Sequence, residues 1–193
     1  MTAIAGKRRG VLVDRDGTLI REVGYLSRVE QMEILPGVPE AIELLRRSGL
    51  KVAVVTNQSA VARGFITEGG LRKIHRELER QLAGHGAFVD GIYYCPHHPT
   101  EGVDPYRTAC DCRKPEAGMA RRAAAELDLD IGRCYVIGDQ AVDMEMASRI
   151  GAKGIFLCGD PDRNRPEGAA SGFPACRDLW EAARWVVGDL ELK

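Results

Sequence analysis

Apolar and polar positions along the chain alternate between two periods. Val11-Leu12-Val13 is a short, largely β-branched run that ends at Asp14, and it reads as a strand. Residues 36–47 follow with Val38, Ala41, Ile42 and Leu45 at helical spacing. Gly49 stops that helix, and Val52 to Val55 is a continuous apolar strand broken by the polar Thr56-Asn57-Gln58-Ser59. Leu71, Ile74, Leu78 and Leu82 give the next helix an apolar stripe, and 88–94 returns as a strand kinked at Gly91. The alternation resumes with a helix at 119–127, a strand at 135–137, a helix at 144–150, a strand at 154–157 and a last helix near 179–187. His75 and His85 are expected on helix surfaces, and 159–176, rich in Gly, Pro, Arg and Asp, as a surface loop.

Continuously apolar strands that alternate with helices imply a parallel sheet covered on both faces, the doubly wound α/β class. Such sheets bind ligands at the carboxyl ends of their strands. The clusters Asp14-Arg15-Asp16-Gly17-Thr18, Thr56 to Ser59 and Gly138-Asp139 each follow a strand, so three segments should meet on one edge. The 193 residues suit one domain spanning 1–193, long enough to build a core without disulfide staples.

Charge narrows the partners. With 27 Lys and Arg against 28 Asp and Glu, the net charge of -1 argues against a dedicated nucleic-acid or anionic-membrane surface. No apolar run approaches a membrane span of about 20 residues, and the N-terminus does not read as a signal peptide, so a cytoplasmic location is the default expectation.

Asp14 and Asp16 flank Arg15 at a strand end, where Gly17 permits a sharp turn. Two carboxylates about 4 Å apart repel by about 4 kcal/mol at an effective dielectric near 20, so such a pair shares a proton or binds a cation. Hard oxygen donors favour Mg²⁺, and Asp139 and Asp143 add acid from another strand end. A bare Asp-x-Asp can also just cap a turn, and Asp143 suits either a supporting carboxylate or an ordinary acid at a helix N-terminus.

Residues 95–112 form a long irregular segment with Pro96, Pro99, Gly102 and Pro105, which needs its own source of order. Cys95-Pro96-His97-His98 and Cys110-Asp111-Cys112 supply three sulfurs and an imidazole, a closed tetrahedral set for structural Zn²⁺. Spacing leaves His97 and His98 both open as the fourth ligand. The competing reading is a transient disulfide or unrelated buried thiols. Cys134, Cys158 and Cys176 read as small buried apolar residues.

Asp14-Arg15-Asp16-Gly17-Thr18, Thr56-Asn57-Gln58, Arg113-Lys114-Pro115 and Gly138-Asp139 with Asp143 occur in that order, and together they resemble the four motifs of the haloacid dehalogenase-like phosphatase superfamily. The resemblance implies Asp14 as nucleophile, Asp16 as acid and base, Thr56 and Lys114 as phosphoryl contacts, and Mg²⁺ on Asp14, the Asp16 carbonyl and Asp139. From about residue 10 to 157, including 92–99 and 110–115, the chain is similar to the heptose 1,7-bisphosphate 7-phosphatase family. That likeness selects His97 as the zinc ligand beside Cys95, Cys110 and Cys112. It also implies sugar-phosphate contacts at Glu22, Val23, Gly24, Tyr25, Asn57, Gln58, Ser59, Arg113 and Gln140. Gln140 stands where the family often carries Lys, which removes one positive charge from the site.

The implied activity is Mg²⁺-dependent removal of the C7 phosphate in heptose metabolism, serving lipopolysaccharide core or nucleotide-activated heptose synthesis. The intervals between motifs leave no room for a cap domain, so the zinc loop should wall an open cleft, and the chain is expected to be a monomer. Histidinol-phosphate phosphatases share both the zinc set and the four motifs and are the alternative. A zinc-stabilised binding module on a dead scaffold would require a lost catalytic residue, and Asp14, Asp16, Lys114 and Asp139 are all present.

Overall fold

The structure, a computed structural model, describes residues 7–159 and 172–192. Six parallel strands form one sheet in the order β3-β2-β1-β4-β5-β6. In chain order the elements are β1 (Gly10–Val13), α1 (Val38–Arg47), β2 (Lys51–Asn57), α2 (Glu68–Gly84), β3 (Gly91–Cys95) and α3 (Gly118–Glu126). β4 (Tyr135–Gly138), α4 (Ala141–Ile150), β5 (Lys153–Leu157), β6 (Ala175–Cys176) and α5 (Leu179–Glu191) complete them.

The continuously apolar strands are buried on both faces, as the pattern requires. Val11 and Val13 of β1, with Val52 and Val54 of β2, face a layer that includes α1, α2 and α5. Leu12, Ala53, Val55 and Val136 face the opposite layer, where Met119, Ala120 and Ala123 of α3 and Met146 and Ala147 of α4 pack. Helix starts follow local chemistry. The Thr67 hydroxyl accepts from Gly70 N at α2, and the Asp178 carboxylate accepts from Glu181 N at α5.

The order in which strands are added reverses between β1 and β4, parallel neighbours at the centre of the sheet, and this switch point is where such sheets open a crevice. Asp14 leaves the end of β1 and Asp139 the end of β4, so the two meet across that crevice. The β1–α1 connection carries only a 3₁₀ turn at Val29–Gln31, and no separate cap unit interrupts the described elements.

Two readings change. The strand expected at 88–94 starts at Gly91, because Phe88 leaves the sheet to lie under the Arg46 guanidinium, 3.6 Å from its ring centre. The segment expected as a loop to residue 176 instead adds Ala175–Cys176 as an edge strand on β5. Residues 160–171 of that segment lie outside the described residues. Among the described residues, no helix is long and apolar enough to cross a membrane.

Candidate active site

An open cleft of about 550 Å³ lies at the carboxyl ends of β1, β2 and β4. It brings Asp14, Asp16, Thr56, Lys114 and Gln140 together, with Glu22, Gly24, Tyr25, Asn57, Gln58, Ser59 and Arg113 around them. Val23 is exposed and is not among the lining side chains.

Behind the cleft the charges are dense and dry. Lys114 is 3% exposed, and its ammonium donates to Asp14 Oδ1 at 2.8 Å, Asp143 Oδ1 at 2.6 Å and the Val55 carbonyl at 3.0 Å. Burial opposes its charge, but Asp14 and Asp143 outweigh burial and hold it above the ordinary lysine value. Asp143 is fully buried, so it is not a surface acid. Its second oxygen accepts from Gln140 N at 3.1 Å, so one carboxylate serves both as helix cap and as counter-charge. Burial pushes Asp143 up to about 6 against the pull of Lys114.

Asp14, Asp139 and Asp143 each place an oxygen within 4.8 Å of the others. Three carboxylates against one ammonium leave two negative charges, and burial, then Asp14 and Asp143, raise Asp139 to about 7. Asp139 Oδ1 is buried with no hydrogen-bond partner. An orphaned oxygen beside a doubly negative cluster of hard donors suits a divalent cation such as Mg²⁺. Gly17 makes the approach possible, since it has φ +75° and any Cβ there would overlap the Asp139 carboxylate.

Asp16 faces the cleft and is gripped from inside. Arg15, 1% exposed, donates from Nη2 to Asp16 Oδ1 and Oδ2, both at 2.9 Å. Gln58 Nε2 donates to Asp16 Oδ2 at 2.7 Å and to Thr56 Oγ1 at 2.8 Å. The Thr56 hydroxyl, accepting from Gln58, keeps its own hydrogen to donate into the cleft. Asn57 accepts from Lys114 N at 2.9 Å and donates to the Lys114 carbonyl at 3.1 Å, which ties the end of β2 to the segment after the cysteine loop. Asn57 and Gln58 thus line the cleft with their amides engaged by protein.

At the outer rim, burial raises the Glu22 carboxyl above its ordinary value, although Gly24 N donates to it. Tyr25 packs against Phe65 with ring centres 4.7 Å apart and planes tilted by 46°. Gln140 is exposed, its amide 3.5 Å from Asp139 Oδ2.

Cys95, His97, Cys110 and Cys112 converge in one cluster, but no residue of 95–112 lines the cleft, whose side there is formed by Arg113, Lys114 and Pro115 instead of the expected loop. The donor atoms of the cluster are separated by 3.7 Å (Cys95–His97), 3.5 Å (Cys95–Cys110), 3.4 Å (His97–Cys112) and 3.3 Å (Cys110–Cys112). A tetrahedron with bonds of about 2.3 Å has edges of about 3.8 Å, so the set could close on Zn²⁺ with little movement. Of the two adjacent histidines, His97 Nδ1 faces Cys112 Sγ, whereas His98 Nδ1 turns to accept from Glu101 N at 2.9 Å. Arg113, which lines the cleft, links it to this cluster by donating to the His97 carbonyl at 3.2 Å.

His75 is a correction. It is 6% exposed rather than on the helix surface, with Nε2 3.2 Å from Arg15 Nη1. The signal was in the sequence, since His75 falls four after Leu71 and three before Leu78, on the apolar stripe of α2. Arg15, in sequence only the residue between two carboxylates, is the buried link between Asp16 and His75. Cys134 and Cys176 are buried as expected, whereas Cys158 is half-buried.

The haloacid dehalogenase-like hydrolase profile matches residues 11–78, and the HAD-hydrolase-like profile matches 111–182. The D-glycero-beta-D-manno-heptose-1,7-bisphosphate 7-phosphatase of Escherichia coli K12 is 38% identical over 162 residues, covering 83% of this chain and 85% of the relative. The chain belongs to the haloacid dehalogenase-like hydrolases. The equivalent enzyme of Photorhabdus laumondii is 39% identical over 83% of this chain and 87% of its own. The structure of the D,D-heptose 1,7-bisphosphate phosphatase from B. bronchiseptica, complexed with magnesium and phosphate, superposes with TM-score 0.81 at 30% identity, covering 94% of this chain and 99% of that one. As a haloacid dehalogenase-like hydrolase with phosphatases among its relatives, the chain is a phosphoric monoester hydrolase.

Proposed function

We propose that the chain removes the C7 phosphate of D-glycero-D-manno-heptose 1,7-bisphosphate with Mg²⁺ and an aspartyl-phosphate intermediate. The observation that carries this reading is Asp14, a carboxylate at the cleft floor, held by buried Lys114 next to the orphaned oxygen of Asp139. Relatives of 38–39% identity carrying that activity in their names support the substrate.

Asp14 Oδ attacks phosphorus while the bond to the sugar oxygen breaks, and Asp16 delivers a proton to that leaving oxygen. Asp16, now a carboxylate, takes a proton from water as the water attacks phosphorus, and the bond to Asp14 breaks to release phosphate. Thr56 donates to a phosphoryl oxygen, and the Lys114 ammonium, 2.8 Å from Asp14 Oδ1, keeps that carboxylate aimed. Asp14, the Asp16 carbonyl and Asp139 would hold Mg²⁺, which when bound offsets repulsion between the carboxylate and a dianionic phosphate. Arg113, with a planar fork suited to anions, receives the distal phosphate, and Glu22, Gly24, Tyr25, Ser59 and Gln140 bound the sugar. The cysteine cluster, with zinc on Cys95, His97, Cys110 and Cys112, orders the loop that carries Arg113. The reading takes the chain as one monomeric domain in the cytoplasm, where thiols stay reduced for metal binding.

The test is phosphate release from both heptose bisphosphate anomers and from histidinol phosphate, with ³¹P NMR to identify the phosphate that remains. Retention of the C1 phosphate is expected. A preference for histidinol phosphate would overturn the substrate, and absence of turnover on all three would favour a binding module.

A further inference from the structure

We propose that His75 is a positioning residue for the acid Asp16, acting through the buried Arg15 guanidinium. The inference rests on the assignment of Asp16 as the acid.

Arg15 has no exposure to speak of, so each of its donors needs an internal partner. Nε and Nη2 go to Asp16, and Nη2 also reaches Gln58 Oε1 at 2.8 Å. Nη1 meets His75 Nε2 at 3.2 Å. A guanidinium has no acceptor, so Nε2 must accept and the imidazole proton must sit on Nδ1. Burial first, and Arg15 second, push the His75 pKa down to about 3, in keeping with a neutral ring.

The contact does more than fill space. Arg15 and Asp16 are chain neighbours, so Arg15 can fix the carboxylate only if its own far end is anchored. His75, sixty residues away on α2, is that anchor. Gln58 completes the frame by accepting from Arg15 and donating to Asp16 Oδ2 and Thr56. Without an acceptor at position 75, Nη1 becomes a buried unpaired donor, and the guanidinium turns to find a partner, taking Asp16 with it. A displacement of about 1 Å in a reacting group can cost about 10²-fold in rate.

The readout is leaving-group dependence, because protonation matters for a sugar alkoxide and hardly at all for p-nitrophenolate. In the Mg²⁺-loaded enzyme, kcat/KM is measured on heptose bisphosphate and on p-nitrophenyl phosphate. His75→Leu should lose about 10²-fold on the sugar phosphate through kcat, with KM little changed, and only a few-fold on p-nitrophenyl phosphate. His75→Gln, whose amide oxygen can accept from Arg15, should recover most of the loss. Equal losses on both substrates, no loss, or no rescue by Gln would overturn the proposal. Should His75→Leu fail to fold by circular dichroism, His75→Met takes its place. Asp16→Asn is the control: if it shows no leaving-group dependence, the acid assignment itself fails. If it shows dependence and the apolar variants at 75 do not, only the positioning role falls.

Discussion

The Lys114 ammonium sits 2.8 Å from Asp14 Oδ1, and its other two donors are taken by Asp143 and the Val55 carbonyl. All three protons are spent on the protein, so Lys114 braces the carboxylate floor as much as it faces phosphate. Lys114→Met would leave Asp14 and Asp143 buried without a cation. Its unfolding free energy should fall by about 3–5 kcal/mol in urea titrations, with Mg²⁺ restoring part of it, alongside loss of turnover. Lys114→Arg should not rescue, since a planar fork cannot serve three partners arranged around one nitrogen. An unchanged urea midpoint for the Met variant would refute the brace.

Asp139 makes the opposite case, a charge that costs stability until a cation arrives. With Oδ1 unpartnered and a pKa raised to about 7, chiefly by burial, Asp139→Asn should be at least as stable as wild type in EDTA. Wild type should gain about 2.7 kcal/mol at Mg²⁺ a hundredfold above its Kd, and the Asn variant almost none. Thermal unfolding with and without Mg²⁺ separates the two. A large Mg²⁺ shift that survives in Asp139→Asn would mean the ion binds elsewhere.

The strand–helix alternation and the placement of polar clusters at strand ends were legible because a parallel sheet buries its strands on both faces and leaves polar residues only at their tips. Position in sequence is then almost position in space, which is why Asp14, Thr56 and Asp139 could be placed on one edge. What stayed hidden depends on side-chain direction. The choice between His97 and His98 turned on whether a ring faces sulfur or the Glu101 amide. Gln58 and Asn57 read as substrate groups, yet their amides are engaged by Asp16, Arg15 and the Lys114 backbone. Ala175–Cys176 was missed because two residues after a Gly- and Pro-rich stretch carry no periodicity.

Two neighbouring histidines test the proposed zinc site. His97→Ala should release one equivalent of zinc in elemental analysis and expose the 96–109 segment to proteolysis. His98→Ala should keep the metal, because its ring holds only the Thr100 and Glu101 amides. Because Arg113 donates to the His97 carbonyl, zinc loss should raise KM more than a loss confined to the loop would. Equal zinc content in both variants would remove His97 from the ligand set.

His75 gives the fold an acid-sensitive element of known sign. It faces Arg15 at 3.2 Å and the Tyr94 ring with centres 5.3 Å apart, and its pKa falls from 6.5 to about 3 on folding. Between those values the unfolded chain binds a proton that the folded chain refuses. Its contribution is therefore complete above about pH 6.5 and is lost as pH falls, by about 1.4 kcal/mol per unit. Carboxylates also titrate in this range, so the measurable quantity is a difference. In urea titrations from pH 6 to 4.5, His75→Gln, which keeps the bond to Arg15 but cannot protonate, should lose stability less steeply than wild type by about that slope. Parallel stability curves for the two proteins would show that His75 takes up a proton in the folded state and that its ring is not held neutral.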